Sequence, residues 1–349
     1  MPRGKLLKVG VVGATGMVGR ELVSLLETRG FPVLELRPFS SGRQKSEVLF
    51  DGRRVDAPGV TRERLLGCDL VFLVSSDEVA LQHAPLLAQK GVWTIDDSAA
   101  FRMDPKVPLV IPEVNFDALK KTTRLIAGPN CTMTGLGVAG ALLHREIGVT
   151  EVRMASYQAV SGAGKAALSE LFAQYRHLAD TKTHADGRAP VLGQGAAAVL
   201  PRAIAYNVVP QVGSFDAFGD TSEERKVAGE LRKVWNAPKL KISATAVRVP
   251  TIRGHALAAW LTLKKPVTLA KAKALLKRTP GLVLSKDGDY PTPRSAGGHG
   301  PVYAGRVRKG ATGRELALWV VSDNLLKGAA LNSVQVAEEL VRRGWLKPR

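Results

Sequence analysis

Cysteine is nearly absent from this chain. Two residues in 349, Cys68 and Cys131, cannot make a disulfide framework, which excludes the stapled extracellular class and points to a reducing compartment. Long apolar runs are missing as well. Residues 135–143, among the longest apolar-and-glycine tracts, fall well short of the roughly 20 residues of a membrane span. The first five residues are basic but run directly into a strand, leaving no room for a signal peptide. A cytoplasmic location without a membrane partner is expected. Aromatic residues are scarce at 5%, and acids are outnumbered by Lys and Arg, 31 against 50, for a net charge of +19. These cations are scattered, and they are not interleaved with aromatics as in a single-strand binder. A basic solvated surface is the preferred reading, then small-anion chemistry, with specific nucleic-acid binding third.

What is present suits an α/β protein of about two domains, with Gly and Ala prominent. Residues 7–12 read as a strand, Gly13-Ala14-Thr15-Gly16-Met17-Val18-Gly19 follows, and residues 20–29 carry Leu22, Val23, Leu25 and Leu26 at helical spacing. Strand, glycine loop and helix is the order that holds a dinucleotide pyrophosphate on backbone N–H groups. The spacing is G-x-x-G-x-x-G, so the place at the head of a βαβ unit carries the reading, not the glycines alone. A second strand, 32–39, runs out into Ser40-Ser41-Gly42-Arg43-Gln44-Lys45. An acid at that point selects NAD, whereas hydroxyls and a cation suit the 2′-phosphate of NADP. Glu35, the one competing acid, lies inside the strand. NADP(H) is therefore expected, with Ser40, Ser41 and Arg43 around the phosphate.

Strands at 68–75 and 91–96, separated by an Ala/Leu helix at 79–89, continue a doubly wound pattern. Cys68 opens the first of them and reads as core. The run Leu125-Ile126-Ala127 then ends in Gly128-Pro129-Asn130, a turn, with Cys131 directly after it. Leu136, Val138, Leu142 and Leu143 make the following stretch a buried helix. Cys131 is thus expected on the first turn of a helix, where unpaired N–H groups and the helix dipole favour a thiolate. A small buried cysteine is the commoner fate of a free thiol. On this stretch alone both readings stand.

Past Cys131 the pattern changes to α+β. A strand at 151–160 enters Ser161-Gly162-Ala163-Gly164-Lys165, whose spacing is not that of a phosphate-binding P-loop. A helix at 166–178 and a loop over 179–200 follow. Thr221 and Glu224 form a capping box that opens another helix and leaves Glu223 and Lys226 three residues apart. By spacing alone these two are an ordinary surface pair. Strands at 244–249, 255–263 and 316–322 precede a last helix at about 325–343.

Five motifs fall in one order: the glycine loop at 13–19, Gly128-Pro129-Asn130-Cys131-Thr132, Tyr157-Gln158-Ala159-Val160-Ser161-Gly162-Ala163-Gly164, Arg248-Val249-Pro250 with Gly254-His255, and Val321-Ser322-Asp323-Asn324-Leu325-Leu326-Lys327-Gly328-Ala329-Ala330. Together they resemble the aspartate-semialdehyde dehydrogenase family, essentially end to end. The resemblance implies the glyceraldehyde-3-phosphate dehydrogenase fold. That is an α/β chain with an N-terminal Rossmann domain over residues 1–130, an α+β catalytic and dimerisation domain over 131–323, and a C-terminal helix, 324–349, returning to the Rossmann domain. It implies reduction of L-4-aspartyl phosphate by NADPH to aspartate semialdehyde and phosphate, in lysine, threonine and methionine biosynthesis, by a homodimer or homotetramer.

The resemblance also assigns roles. Cys131 is the nucleophile, His255 the acid–base group and Gln158 the residue that orients the acyl group. Arg248 takes the substrate carboxylate and Glu223 its amine, while Arg102, Asn130 and Lys226 meet the phosphate. Gly13, Thr15, Gly16, Met17, Val18, Ser40, Ser41, Arg43, Ser161, Gly162 and Asn324 contact the cofactor, and no metal is expected. The residue types suit these tasks: a thiolate divides acyl reduction into two easier steps, an imidazole moves protons near neutrality, and a guanidinium fork pairs with a carboxylate. Arg253 is read as structural, and His83, His144, His177, His184 and His299 as surface or loop residues. Two departures bear on the shape of the pocket: Gly128, where the family often has Asn or Ser, and Ala256-Leu257, where it has Ser-Glu. The competing readings are reduction of another acyl phosphate or an acyl-CoA, and a non-catalytic Rossmann relative with basic-surface binding. Such a relative has no need of Cys131, His255 and Arg248 together.

Overall fold

Short runs of Val, Leu, Ile and Phe, buried on both faces, build the first sheet, as parallel strands covered by helices require. The structure, a computed structural model, describes residues 6–180 and 197–349. Most of the loop expected over 179–200, with His184, lies outside the described residues. The chain divides into two compact units, Met1–Gly137 with Lys233–Ala237 and Leu325–Arg349, and Val138–Arg232 with Pro238–Asn324.

The first unit runs through β1 (Leu7–Val12), α1 (Met17–Thr28), β2 (Val33–Phe39), a hairpin of β3 (Glu47–Phe50) and β4 (Arg53–Asp56), and α2 (Arg62–Leu66). It continues through β5 (Leu70–Leu73), α3 (Asp77–Gln89), β6 (Trp93–Asp96), α4 (Pro112–Asn115) and β7 (Leu125–Ala127) into α5 (Cys131–Ala139). The strands lie in the order β2-β1-β5-β6-β7, every pairing parallel. The chain goes from β1 to β2 on one side and, after α2, crosses to β5 on the other side of β1, which opens a crevice at the carboxyl end of β1. Helix α1 begins at Met17, earlier than residue 20, because Gly16 is the N-cap and Gly19 lies within the first turns.

The second unit holds α6 (Ala141–Glu146), β8 (Val149–Gln158), α7 (Lys165–Asp180), most of α8 (Ser222–Val234), β9 (Lys241–Arg248) and β10 (His255–Leu263). After these come α9 (Leu269–Arg278), β11 (Leu282–Leu284), α10 (Pro293–Ala296), β12 (Val302–Lys309) and β13 (Glu315–Ser322). The sheet order is β11-β12-β13-β10-β8-β9; the outermost pairings are parallel and the others antiparallel. This is the mixed sheet expected of an α+β region. The chain ends in a π-helical turn (Leu326–Ala330) and α11 (Leu331–Arg342). Both belong to the first unit, where Val334, Ala337 and Leu340 share a core with Leu22 and Leu26 of α1. No helix among the described residues is long and apolar enough to cross a membrane.

Candidate active site

In the first unit the chemistry-bearing residues gather at the carboxyl ends of the parallel strands. Gly13 leaves β1 at φ 84°, a left-handed conformation that suits glycine. Its N–H and that of Ala14 both donate to Phe39 O at 3.0 Å. A Cβ on Gly19 would collide with Gly13 O, so the loop and helix close tightly on one another. No side chain caps α1 at Gly16. Thr15, Met17 and Val18 therefore flank first-turn amides suited to a pyrophosphate.

At the end of β2 the three expected phosphate residues separate. Ser40 is buried, its hydroxyl donating to Ala57 O at 2.7 Å and accepting the Gly42 N–H at 3.2 Å. It shapes the loop, while Ser41 and Arg43 are exposed on it. Glu35 is held by Arg37 through hydrogen bonds of 2.8 and 2.9 Å, which keep its carboxyl below the usual carboxylate range.

Cys131 is the first residue of α5, partly exposed, and neither cysteine is in a disulfide. Asn130 caps this helix: its Oδ1 accepts the N–H groups of Thr132 at 2.8 Å and Met133 at 3.2 Å. Asn130 thus presents the thiol by fixing where the helix starts. Cys68 is core, and burial pushes its thiol up to about 11.

One residue beside this turn, Asp97, carries no signal in the sequence. The carboxyl of Asp97, after β6, is enclosed; its Oδ1 accepts from Ser333 Oγ at 2.5 Å, and its Oδ2 has no hydrogen-bond partner among the described residues. Burial pushes its pKa up to about 6. The same Oδ1 occupies the space that a Cβ on Gly128 would need, which explains glycine at that position. Arg102 Nη2 donates to Asp97 O at 2.7 Å. Its loop is held by Lys233, whose Nζ donates to the carbonyls of Arg102, Asp104 and Val107, each at 2.7 Å.

In the second unit, strand register does the gathering. Gln158 is opposite Arg248 across β8 and β9, Tyr157 opposite Ala256 across β8 and β10, and His255 opposite Ser322 across β10 and β13. One end of the sheet therefore collects Gln158, Arg248, His255 and the segment through Asn324. His255 is buried, and its Nδ1 accepts the Ala159 N–H at 3.1 Å, so the neutral ring carries its proton on Nε2. Burial, then the Arg248 charge, pulls its pKa down to about 3. Arg248 Nη1 donates to Ala159 O at 2.8 Å. A Cβ on Gly162 would stand 2.9 Å from Arg248 Nη1 and 3.3 Å from His255 Nε2, so this loop needs glycine to come so close.

Gln158 Nε2 donates to Glu223 Oε1 at 3.1 Å and to Ser156 Oγ at 3.2 Å. The capping box forms as expected: Thr221 N–H donates to Glu224 Oε2 at 2.5 Å and Glu224 N–H to Thr221 Oγ1 at 3.4 Å. Glu224 Oε1 also accepts the Ala246 N–H at 2.7 Å and ties α8 to β9. Lys226, half-buried, makes no hydrogen bond or ion pair among the described residues. Asn324 Nδ2 donates to Ser161 Oγ at 2.9 Å, and its Oδ1 accepts the Gly254 N–H at 2.8 Å, so these cofactor candidates lock to each other. Arg253 pairs with the buried Asp323 carboxylate. His177 and His299 are exposed, and His144 Nδ1 accepts the Val149 N–H at 3.3 Å. No metal-binding cluster occurs among the described residues.

Two domain families divide the chain between them. Semialdehyde dehydrogenase, NAD binding domain, matches residues 8–122, and semialdehyde dehydrogenase, dimerisation domain, matches residues 140–327. The class is thus a two-domain semialdehyde dehydrogenase, an oxidoreductase with a dinucleotide domain. The aspartate-semialdehyde dehydrogenase of Aquifex aeolicus is 38% identical over 347 residues, covering 97% of this chain and 99% of that protein. That of Streptomyces akiyoshiensis is 41% identical over 339 residues, covering 95% and 98%. The crystal structure of aspartate semialdehyde dehydrogenase II from Vibrio cholerae, complexed with ASA, superposes with a TM-score of 0.89 at 34% identity, covering 97% of this chain and 99% of that one. The chain belongs to the aspartate-semialdehyde dehydrogenase family.

Proposed function

We propose that the protein catalyses the NADPH-dependent reductive dephosphorylation of L-4-aspartyl phosphate to L-aspartate 4-semialdehyde and phosphate. The observation that carries this reading is a partly exposed Cys131 at the start of an Asn130-capped helix. The Cys131 thiolate attacks the acyl carbon, the bond to the phosphate oxygen breaks, and a thioester remains on sulfur. NADPH supplies the hydride for the second half-reaction. The Nε2–H of the neutral His255 ring donates a hydrogen bond to the carbonyl oxygen and holds its charge as it becomes an alkoxide. The carbonyl re-forms when the thiohemiacetal C–S bond breaks, which frees the aldehyde and returns Cys131 as the thiolate, with the proton still on Nε2. Gln158 orients the acyl group, Arg248 and Glu223 take the carboxylate and amine, and Arg102, Asn130 and Lys226 receive the phosphate. Residues 1–130 bind the dinucleotide, 131–323 carry catalysis and dimerisation, and 324–349 complete the first domain. The working form is a cytoplasmic homodimer or homotetramer without specific nucleic-acid binding.

The test is the reverse reaction: reduction of NADP by aspartate semialdehyde, dependent on phosphate or arsenate. Wild-type activity with a dead Cys131→Ala is expected. An inactive wild type sinks the activity, and an active Cys131→Ala sinks the mechanism. For the cofactor, Arg43→Ala should raise KM for NADP by about tenfold and leave KM for NAD nearly unchanged. Equal effects on both would remove Arg43 from the 2′-phosphate.

A further inference from the structure

The turn that carries Cys131 abuts the least regular helix of the first unit. Residues Leu326–Ala330 form one π-helical turn, with the Ala330 N–H donating to Leu325 O at 3.1 Å and the Leu331 N–H to Leu326 O. Such turns are rare and concentrate at functional sites. Gly328, at the centre, lies against the nucleophile. A Cβ there would stand 2.7 Å from Cys131 Cβ, 3.1 Å from its Cα and 3.3 Å from its carbonyl oxygen. None of these atoms can swing aside, so anything larger than hydrogen must move the start of α5.

Lys327, the preceding residue, is 1% exposed. Its Nζ donates to Glu113 Oε2 at 2.6 Å, to Gln335 Oε1 at 2.7 Å and to Asn332 Oδ1 at 3.2 Å. All three ammonium donors are used. The acceptors come from two elements, α4 and α11, so the charge pins the turn between them. A well-packed apolar side chain would serve stability as well as a buried ion pair. What the ion pair adds is a single register for the π-turn, because a one-residue slip would strand a charge in the core.

We propose that this turn is a positioning device for the nucleophile: Lys327 fixes its register, and Gly328 sets the place of Cys131 against it. Both are positioning residues for acyl transfer. The inference rests on Cys131 being the nucleophile.

Alkylation by iodoacetamide reads the Cys131 thiol without turnover, since Cys68 is buried and its thiol is pushed up to about 11. Full-length wild type, Gly328→Ala, Lys327→Met, Lys327→Arg and Gln335→Leu are compared for alkylation rate against pH, for kcat and KM, and for thermal unfolding. Gly328→Ala and Lys327→Met should slow alkylation at neutral pH and lower kcat about tenfold or more, with KM for NADP within about twofold of wild type. Lys327→Arg, which keeps the charge, should recover part of the rate. Gln335→Leu removes one acceptor at a half-buried position and should shift both readouts less, in the same direction. Wild-type alkylation and kcat beside a lowered unfolding temperature would overturn the proposal, since the turn is then structural only. If Gly328→Ala and Lys327→Met do not fold, Gln335→Leu decides by the same two readouts. A wild type that reduces no NADP would sink the functional reading, while alkylation still tests the positioning.

Discussion

At the scale of single residues, the site depends on groups that the sequence does not advertise. Cys131, His255 and Arg248 stand out as candidates by motif and residue type. Asp97 does not, because its meaning comes from Gly128, which lies on another strand end, and from Ser333 near the C-terminus. Its carboxyl sits well above its ordinary value of 3.8, at about 6, through burial. A group with a raised folded pKa contributes its full stability below its unfolded value, and that contribution is lost as pH rises through the folded one. Asp97→Asn keeps the oxygen that accepts from Ser333 and removes the ionisation. The variant should therefore unfold at a higher temperature than wild type at pH 8 and show no advantage at pH 4. The difference amounts to at most about 2–3 kcal/mol for a shift of roughly two units. Thermal melts at the two pH values check this, and a gain at pH 4 as large as at pH 8 would reject it.

Among the elements, the segments with one uninterrupted signal were legible. The glycine loop between β1 and α1, and the capping box of α8, stand as the residues suggest. The hairpin of β3 and β4, together with α9, β11 and β12, passed unseen. β11 has three residues, and β3 and β4 have four each, too few to show a period. β12 is interrupted by a register shift near Arg306, which sits at φ 51° and breaks the alternation. The π-turn looks like ordinary helix in the sequence, since its apolar residues fit either winding. At the end of α8, Lys233 looks in the sequence like one more surface cation, yet it holds three carbonyls of the Arg102 loop. Lys233→Met should loosen that loop and raise KM for phosphate in the reverse reaction several-fold, with KM for NADP unaltered. Steady-state kinetics in phosphate decide it; parallel rises in both constants would reduce Lys233 to a stabilising contact.

For the whole molecule, the surplus of cations acts through its field. With a net charge of +19, the protein attracts phosphate and dinucleotide from a distance, and salt screens that attraction. Between roughly 10 and 200 mM salt, kcat/KM for the anionic substrates should fall while kcat stays level. A salt-independent kcat/KM would mean that the charge is remote from the path of entry. The return of Leu325–Arg349 to the first unit has a consequence for biogenesis. The strands of that unit leave the ribosome before the second unit, yet Val334, Ala337 and Leu340, which fill its core beside α1, leave after it. The first unit must wait, with an apolar face uncovered, until the second unit has been translated. A nascent chain stalled anywhere between the two segments is thus a client for chaperones.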